Sequence, residues 1–355
     1  MKPIWTRNPK EVTEEEYKTF YKSFSKDYSD ALTHLHFRAE GDVDFRALIY
    51  IPEKPPAQFM EKHIDTKPIR LFVKRVFITD EMHEFIPRWL AFIKGLVDSD
   101  DLPLNVSRET LQQHVLLKLI KKKVVGKILD AFKKLADTEP EKYEKFIKEY
   151  NTALKFGVIE DSKNQKKLSK LIRFHSSNSE KMTSLDDYVS RMKKGQPQIY
   201  FLTGTSLEEV KASPFVEKLI TRGYEVLYMV SPIDEYVVQN MPQYAKKSFQ
   251  SAAKAGLKYG DEDKDEEETE KKLNEEFKPL AEWVKKTLGS SVSEVVVSNR
   301  LTSSPCAVVA SQFGVSGVME KLMQAQKYDD GMKNFYLNQP KIFEINPVSL
   351  SPLLW

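Results

Sequence analysis

Residues 198–230 constrain the fold more than any other stretch. "QIYFLTG" (198–204) is a short apolar run of strand type. Ser206 followed by Glu209 has capping-box spacing and starts a helix that runs to Arg222. "YEVLYMV" (224–230) is a second buried strand. Strands joined through a helix lie parallel, and a parallel pair needs cover on both faces. The stretch therefore reads as a βαβ unit with a parallel strand pair.

Other segments add further elements. "LHFRAEGDVDFRALIYIP" (35–52) alternates apolar and polar residues on both sides of "EGD", which predicts an antiparallel hairpin. "IRLFVKRVFI" (69–78) reads as a third, central strand, and "EFIPRWLAFIKGL" (84–96) as a helix. Residues 107–136 place Leu111, Val115, Leu119, Leu129 and Phe132 at near-helical spacing. That helix would be roughly 45 Å long, with Gly126 as the point for a kink. Helical segments are expected to continue to about residue 195, with Asn178 near an exposed joint. The acidic run "DEDKDEEETE" (261–270) marks a domain boundary, either a linker or a charged helix start. A helix ending at Gly289, strands in "VSEVVVSNRL" and "PCAVVASQF", and a short helix in "SGVMEKLMQAQK" follow.

Composition narrows function mainly by exclusion. The 55 cations are nearly balanced by 52 acids, so no nucleic-acid partner is implied. The single cysteine, Cys306, forbids an intramolecular disulfide and a cysteine-based zinc site. No apolar run approaches the length of a membrane span, and the start "MKPIWTRNPKEV" has no signal-peptide core. That start reads as the interior of a longer protein. No P-loop and no strand-linked G-x-G-x-x-G occurs, so a self-contained nucleotide enzyme of those types is not expected.

A few residues carry chemistry. His34 and His36 share a strand face, but no third metal ligand is evident, and no metal is expected. "KLIKKKVVGK" (118–127) is a solvated basic face or an anionic-partner surface; RNA binding through Lys121–Lys123 is the weakest option. Arg108 stands in the first turn of a helix, where the dipole disfavours a cation. Arg108 and Gln112 share a face at that N-terminus, and with the free backbone N–H groups they make an anion site suited to phosphate. The competing reading pairs Arg108 with Asp98, Asp100 or Asp101. Met319 and Met323 are one turn apart on the short helix, either an adaptable apolar surface or ordinary core. Trp5, between Pro3 and Pro9, is either an exposed contact or a packed one.

"KPIWTRNPKEVTEEEY", "FYKSFSKD", "RVFITDE", "VDSDDLPLNVSRETLQQ", "MTSLDDYVSRMK", "SPIDEY" and "FEINP" together resemble the 90-kDa heat-shock chaperone family, in that family's order and across nearly the whole chain. "LNVSRETLQQH", "FYKSFSKD" and "SPCAVVASQFG" look closest to its endoplasmic-reticulum branch. The resemblance implies an α/β (α+β overall) architecture: two α/β/α layered subdomains joined by a helical coil, followed by a partial mixed α/β C-terminal domain. The boundaries implied are 1–136 and 196–258 for the subdomains, 137–195 for the coil, 259–270 for an acidic linker and 271–355 for the truncated C-terminal domain. Val315 departs from the tryptophan common in the family after "QFG", and "VSLSPLLW" departs from its usual continuation.

The implied activity is ATP hydrolysis coupled to a clamp that closes on unfolded or partly folded client proteins, as part of a stress response. ATP with Mg2+ would be bound mainly by a missing N-terminal domain, and this chain alone would be inactive. Arg108 corresponds to the catalytic-loop arginine that contacts the γ-phosphate, and Gln112 to the glutamine beside it. Phe77 corresponds to an apolar contact with the nucleotide domain. Trp5, Met319 and Met323 correspond to client-contacting positions. Implied partners are clients, co-chaperones and a second copy in the full-length protein, with this chain monomeric, no nucleic acid and no membrane. The implied compartment is the endoplasmic-reticulum lumen, with the cytoplasm as the alternative. Asn105 begins a glycosylation sequon that a glycan would turn into an obstruction beside Arg108. A non-enzymatic interaction scaffold, using the basic helix and the methionine patch, is the alternative function.

Overall fold

A computed structural model of the chain describes residues 2–56, 67–81, 85–102, 115–255, 257–260, 264–311, 314, 316–325, 339 and 341–350. Arg108, Gln112 and the Asn105 sequon lie outside the described residues. The chain divides into two compact units, Met1–Ile172 and Arg173–Trp355.

In the first unit, helix α1 (Glu14–Ser25) begins at a full capping box. Thr13 accepts from the Glu16 backbone, and the Glu16 carboxylate accepts from the Thr13 N–H. Glu14, Glu15 and Glu16 crowd the first turn, where the helix dipole favours acids. The helix stops at Lys26, in the left-handed conformation (φ 57°). The expected hairpin is present: β1 (Ala31–Ala39) runs antiparallel to β2 (Phe45–Pro52), with Leu35 opposite Ile49. Leu48, Ile49 and Ile51 are fully buried, each contributing about 1.5–3 kcal/mol relative to exposure.

Two expectations change here. "IRLFVKRVFI" is not one strand but a tight hairpin, β3 (Ile69–Val73) and β4 (Val76–Thr79). Lys74 and Arg75 turn it, both at positive φ (50° and 69°), as a two-residue primed turn requires. "EFIPRWLAFIKGL" is not a helix. Pro87 admits only a single 3₁₀ turn at Arg88–Leu90, and the chain then enters strand β5 (Lys94–Ser99). The sheet order is β1-β2-β5-β3-β4, so β5 is hydrogen-bonded on both sides, parallel to β3 and antiparallel to β2. A Cβ at Gly95 would sit 2.4 Å from the Leu48 carbonyl oxygen, so only glycine lets β5 close on β2.

Helices α2 (Val115–Thr138), α3 (Pro140–Glu160) and α4 (Gln165–Leu171) complete this unit. α2 passes through Gly126 unbroken. It stops before Pro140, which opens α3. Aromatic rings pack under α3: Phe92 stacks on Tyr150 at 4.1 Å, and Phe132 lies tilted 4.6 Å from Phe146, centroid to centroid. The Tyr150 hydroxyl donates to the Pro52 carbonyl at 2.9 Å, so its polar end is satisfied although buried.

The second unit starts with another departure. Residues 174–183 are not helical but form a hairpin, β6 (Phe174–Ser176) and β7 (Ser179–Thr183). Helix α5 (Leu185–Arg191) follows, capped by Ser184. The expected strands are β8 (Gln198–Thr203) and β9 (Leu227–Met229), and they pair in parallel. The helix between them is two helices, α6 (Leu207–Lys211) and α7 (Pro214–Thr221), because Ser213 caps a new start and Pro214 cannot continue the old one. Helix α8 (Ile233–Asn240), β10 (Gln243–Tyr244) and β11 (Lys247–Ser251) complete a six-stranded sheet of order β10-β11-β8-β9-β6-β7. Its core gathers Tyr200, Val210, Leu219, Tyr224, Val226 and Tyr259.

The described part of the acidic run, from Lys264 on, is helical. α9 (Lys264–Glu276) leads into α10 (Lys278–Leu288), which ends at Gly289 as expected. β12 (Val292–Val297), β13 (Cys306–Val309) and β14 (Lys341–Ile345) form a sheet of order β12-β14-β13. Helix α11 (Gly317–Ala325) lies between β13 and β14 in sequence, and α12 (Pro347–Leu350) follows β14. Arg300 and Glu344 form a buried ion pair at 2.8 Å, their side chains only 4% and 5% exposed. Arg300 Nη1 also donates to the carbonyls of Ala252 and Lys254, and Ser298 Oγ donates to Glu344 at 2.8 Å. These bonds fasten the small sheet to the segment that leaves β11.

Removing one partner of a buried pair strands the other charge. Arg300→Leu should therefore lower stability by about 3–5 kcal/mol. The double variant Arg300→Leu/Glu344→Leu should recover a large part of that loss. Denaturant titrations of the three proteins check both outcomes.

Candidate functional site

The region around the end of β5 has the most concentrated constraints. Asp98 is 1% exposed. Its Oδ2 accepts from Trp5 Nε1 at 2.8 Å, and its Oδ1 accepts from the Arg75 backbone N–H at 3.1 Å. One carboxylate thus ties three parts of the chain: the N-terminal segment, the β3–β4 turn and the strand that leads to residues 100–102. Asp100 accepts from Arg46 Nη1 at 3.1 Å and lies 3.7 Å from Arg75 Nη1. Asp101 accepts from the Asp44 N–H at 2.6 Å, and Ser99 Oγ donates to the Asp44 carbonyl at 2.9 Å. Each acid proposed as a local partner for Arg108 therefore has a different partner among the described residues.

The turn that Asp98 holds presents an apolar edge. Val76 and Phe77 on β4 are 54% and 51% exposed. Phe77 packs edge-on against Phe72 at 5.6 Å. β4 is the last strand of the sheet, so among the described residues its outer backbone edge has no strand beside it.

Trp5 is part-buried rather than freely exposed. Its ring lies 5.2 Å from Phe72 and 6.0 Å from Phe20, and its N–H is committed to Asp98. Met319 is 2% exposed, and its backbone N–H is capped by Ser316 Oγ at 3.1 Å. The Met323 side chain lies outside the described residues. Trp283 on α10 is 63% exposed; its place in "LAEWVKK", apolar on one helix side, was the available signal. The structure thus brings Trp5 and Phe77 to one sheet, through Phe72, and places Met319 in the other unit.

His34 and His36 project from β1 onto Tyr17 of α1. His34 stacks on the Tyr17 ring at 3.8 Å, with Nδ1 4.0 Å from Glu14. His36 Nε2 faces the Trp5 carbonyl at 3.1 Å, and a carbonyl only accepts, so Nε2 carries the proton. Nδ1 then accepts from the Tyr17 hydroxyl at 2.7 Å. With both nitrogens engaged, His36 is a structural residue and not a metal ligand. Among the described residues, no three His, Cys, Asp or Glu side chains are grouped to hold a metal ion. Among them also, no helix is long and apolar enough to cross a membrane.

The chain is similar to known proteins over most of its length. The family model described as Hsp90 protein matches residues 1–351. An endoplasmin homolog of Caenorhabditis elegans is 50% identical over 98% of this chain and 46% of its own length. Endoplasmin homologs of Arabidopsis thaliana and Catharanthus roseus are each 46% identical over 98% of this chain and 45% of their own. The chain spans about half the length of these curated relatives. Among solved structures, the middle domain of a Plasmodium falciparum heat shock protein superposes with a TM-score of 0.62 at 36% identity, over 71% of this chain and 100% of that one.

Two outcomes follow from the geometry. Asp98→Ala leaves the Trp5 indole and the Arg75 N–H without their acceptor, at a cost of about 3 kcal/mol. Amide exchange at Lys74 and Arg75 should accelerate while α3 keeps its protection. Burial pushes both imidazoles below the usual histidine range, His36 against the opposing pull of the Trp5 carbonyl and His34 against that of Glu14. As pH drops below the unfolded value of about 6.5, the unfolded chain takes up protons that the folded chain resists. Stability should therefore be full above about pH 6.5 and fall with acidification. A His34→Gln/His36→Gln variant should lose less melting temperature between about pH 7.5 and about pH 5.5 than the parent.

Proposed function

Because this chain belongs to the Hsp90 family, we propose that it is the middle domain and the first part of the C-terminal domain of an ATP-dependent chaperone. The observation that carries this reading is the family match across residues 1–351. The nucleotide, with Mg2+, is held by a preceding domain, and hydrolysis of its γ-phosphate is the chemistry that ATP supplies.

In this reading Arg108 places a guanidinium against the charge that develops on the transferred phosphoryl group, and Gln112 is the glutamine that accompanies it. Electrostatic stabilisation of this kind acts in the transition state more than in the ground state. The engagement of Asp98, Asp100 and Asp101 by other groups supports an arginine that is not reserved for a local ion pair. Phe77, on the open edge of β4, serves as the apolar contact with the nucleotide domain. Client contact through Trp5, Met319 and Met323 belongs to the same reading, and Trp5 and Met319 must then be uncovered from the packing described above. The endoplasmin relatives favour the endoplasmic-reticulum lumen, with the cytoplasm as the alternative. Co-chaperones act on the full-length homodimer, and this chain alone is a monomer without ATPase activity.

In the full-length protein, Arg108→Ala should slow steady-state ATP hydrolysis by more than about tenfold and leave nucleotide affinity little changed. Unaltered turnover would remove Arg108 from the mechanism. A loss matched by weaker nucleotide binding would make it a binding residue.

A further inference from the structure

A cleft in the first unit, away from the β5 exit and the β4 edge, carries a second site. Lys26 just beyond α1, Lys54 just beyond β2 and Lys94 at the start of β5 line a cavity of about 430 Å3. Tyr21, Pro55 and Pro56 line it as well. We propose that this cleft binds the phosphoryl group of a small molecule, with Lys94 as the central ligand and Lys26 and Lys54 closing on it from the rim.

The charge arrangement carries the argument. Among the described residues, none of the three lysines forms an ion pair, although Asp27 is near enough to attract Lys94. Lys22, one turn before Lys26 on α1, is by contrast paired with Asp30 at 2.8 Å. Asp27 is the acid that lines the cleft, and its acceptors are in use. Its Oδ2 accepts from the Tyr21 hydroxyl at 2.8 Å, and its Oδ1 accepts from the Ser29 N–H at 3.0 Å and hydroxyl at 2.6 Å. Among the described residues, three cations thus line a space whose lining acid is already committed.

Lys94 is the least ordinary of the three. It is half-buried on a central strand, paired in register with Tyr50 of β2, so its backbone cannot retreat. Burial, reinforced by the nearby Arg70 guanidinium, pushes its ammonium below the usual lysine range, against the opposing pull of Asp27. Bringing a multiply charged oxyanion to this ammonium relieves the cost of keeping it charged there. Lysine binds phosphate as a point charge without demanding one geometry, which suits three ammoniums on separate segments. The cavity exceeds what one phosphate fills and falls in the size range of small-molecule sites. Pro55 and Pro56, partly exposed, offer an apolar surface to an organic body attached to the phosphoryl group.

The test titrates this chain with inorganic phosphate and with phenyl phosphate, followed by calorimetry and by 31P NMR. Saturable binding in the millimolar range is expected, weakened at least about tenfold by Lys94→Gln. Lys54→Gln, at an exposed position, should weaken binding without altering the melt, and it keeps the test decisive if Lys94→Gln fails to fold. Lys122→Gln, on the exposed face of α2, should change nothing. Tighter binding of phenyl phosphate marks an organic phosphate as the occupant and equal binding marks the free anion; both uphold the site. Absence of saturation at phosphate concentrations on the order of 10 mM, or equal affinity in the Lys54→Gln and Lys122→Gln variants, would overturn it.

Discussion

The buried carboxylate of Asp98 is the interaction on which the first unit's exposed features depend. A charged group at 1% exposure is stable only if its oxygens are satisfied. Here they are satisfied by an indole N–H from the far N-terminus and a backbone N–H from the β3–β4 turn. The turn needs that help. Lysine and arginine at positive φ each cost on the order of 1–2 kcal/mol relative to ordinary backbone. The bond to Asp98 offsets part of that cost and fixes how far Val76 and Phe77 stand out from the sheet.

The second unit uses a buried charge differently. Glu344 lies in the middle strand β14 and Arg300 just beyond β12, and Arg300 reaches out of that sheet to carbonyls beyond β11. A buried pair of this kind adds little net stability over a well-packed apolar contact. Its geometry is what distinguishes it: two guanidinium nitrogens with fixed directions admit one docking of the small sheet, where an apolar contact would tolerate sliding. The first unit thus uses a buried acid to support a strained turn, and the second uses a buried pair to set a register between sheets.

Much of this was legible in the sequence wherever periodicity decided the structure. The 35–52 hairpin alternates cleanly, and the parallel β8–β9 pair follows from its helical connection. The misread segments share a physical cause. At 69–78 the turn residues are Lys74 and Arg75 instead of glycine or asparagine, and what makes them turn is Asp98, a tertiary contact distant in sequence. At 84–96 the apolar residues are buried on every side, so their spacing could not separate strand from helix. At 174–183 the outer strand β7 is exposed at Ser179, Glu180, Lys181 and Met182, leaving no apolar alternation to read. The same limit applies to the candidate sites. Phe77 was visible through its motif, whereas the bond between Trp5 and Asp98 spans 93 residues and leaves no local trace. The lysine cleft draws on three separate segments.

The strand order of the small sheet bears on how the chain is made. β14 is its middle strand, flanked by β12 and β13, yet it is the last of the three to be synthesised. Until residues 341–345 leave the ribosome, neither earlier strand has its partner. β12 and β13 must therefore wait as unpaired edges while the intervening chain emerges, and unpaired edges invite association with other chains. A protein whose relatives are chaperones thus includes, in its own biogenesis, an interval when an apolar strand such as Val295–Val297 is open to capture.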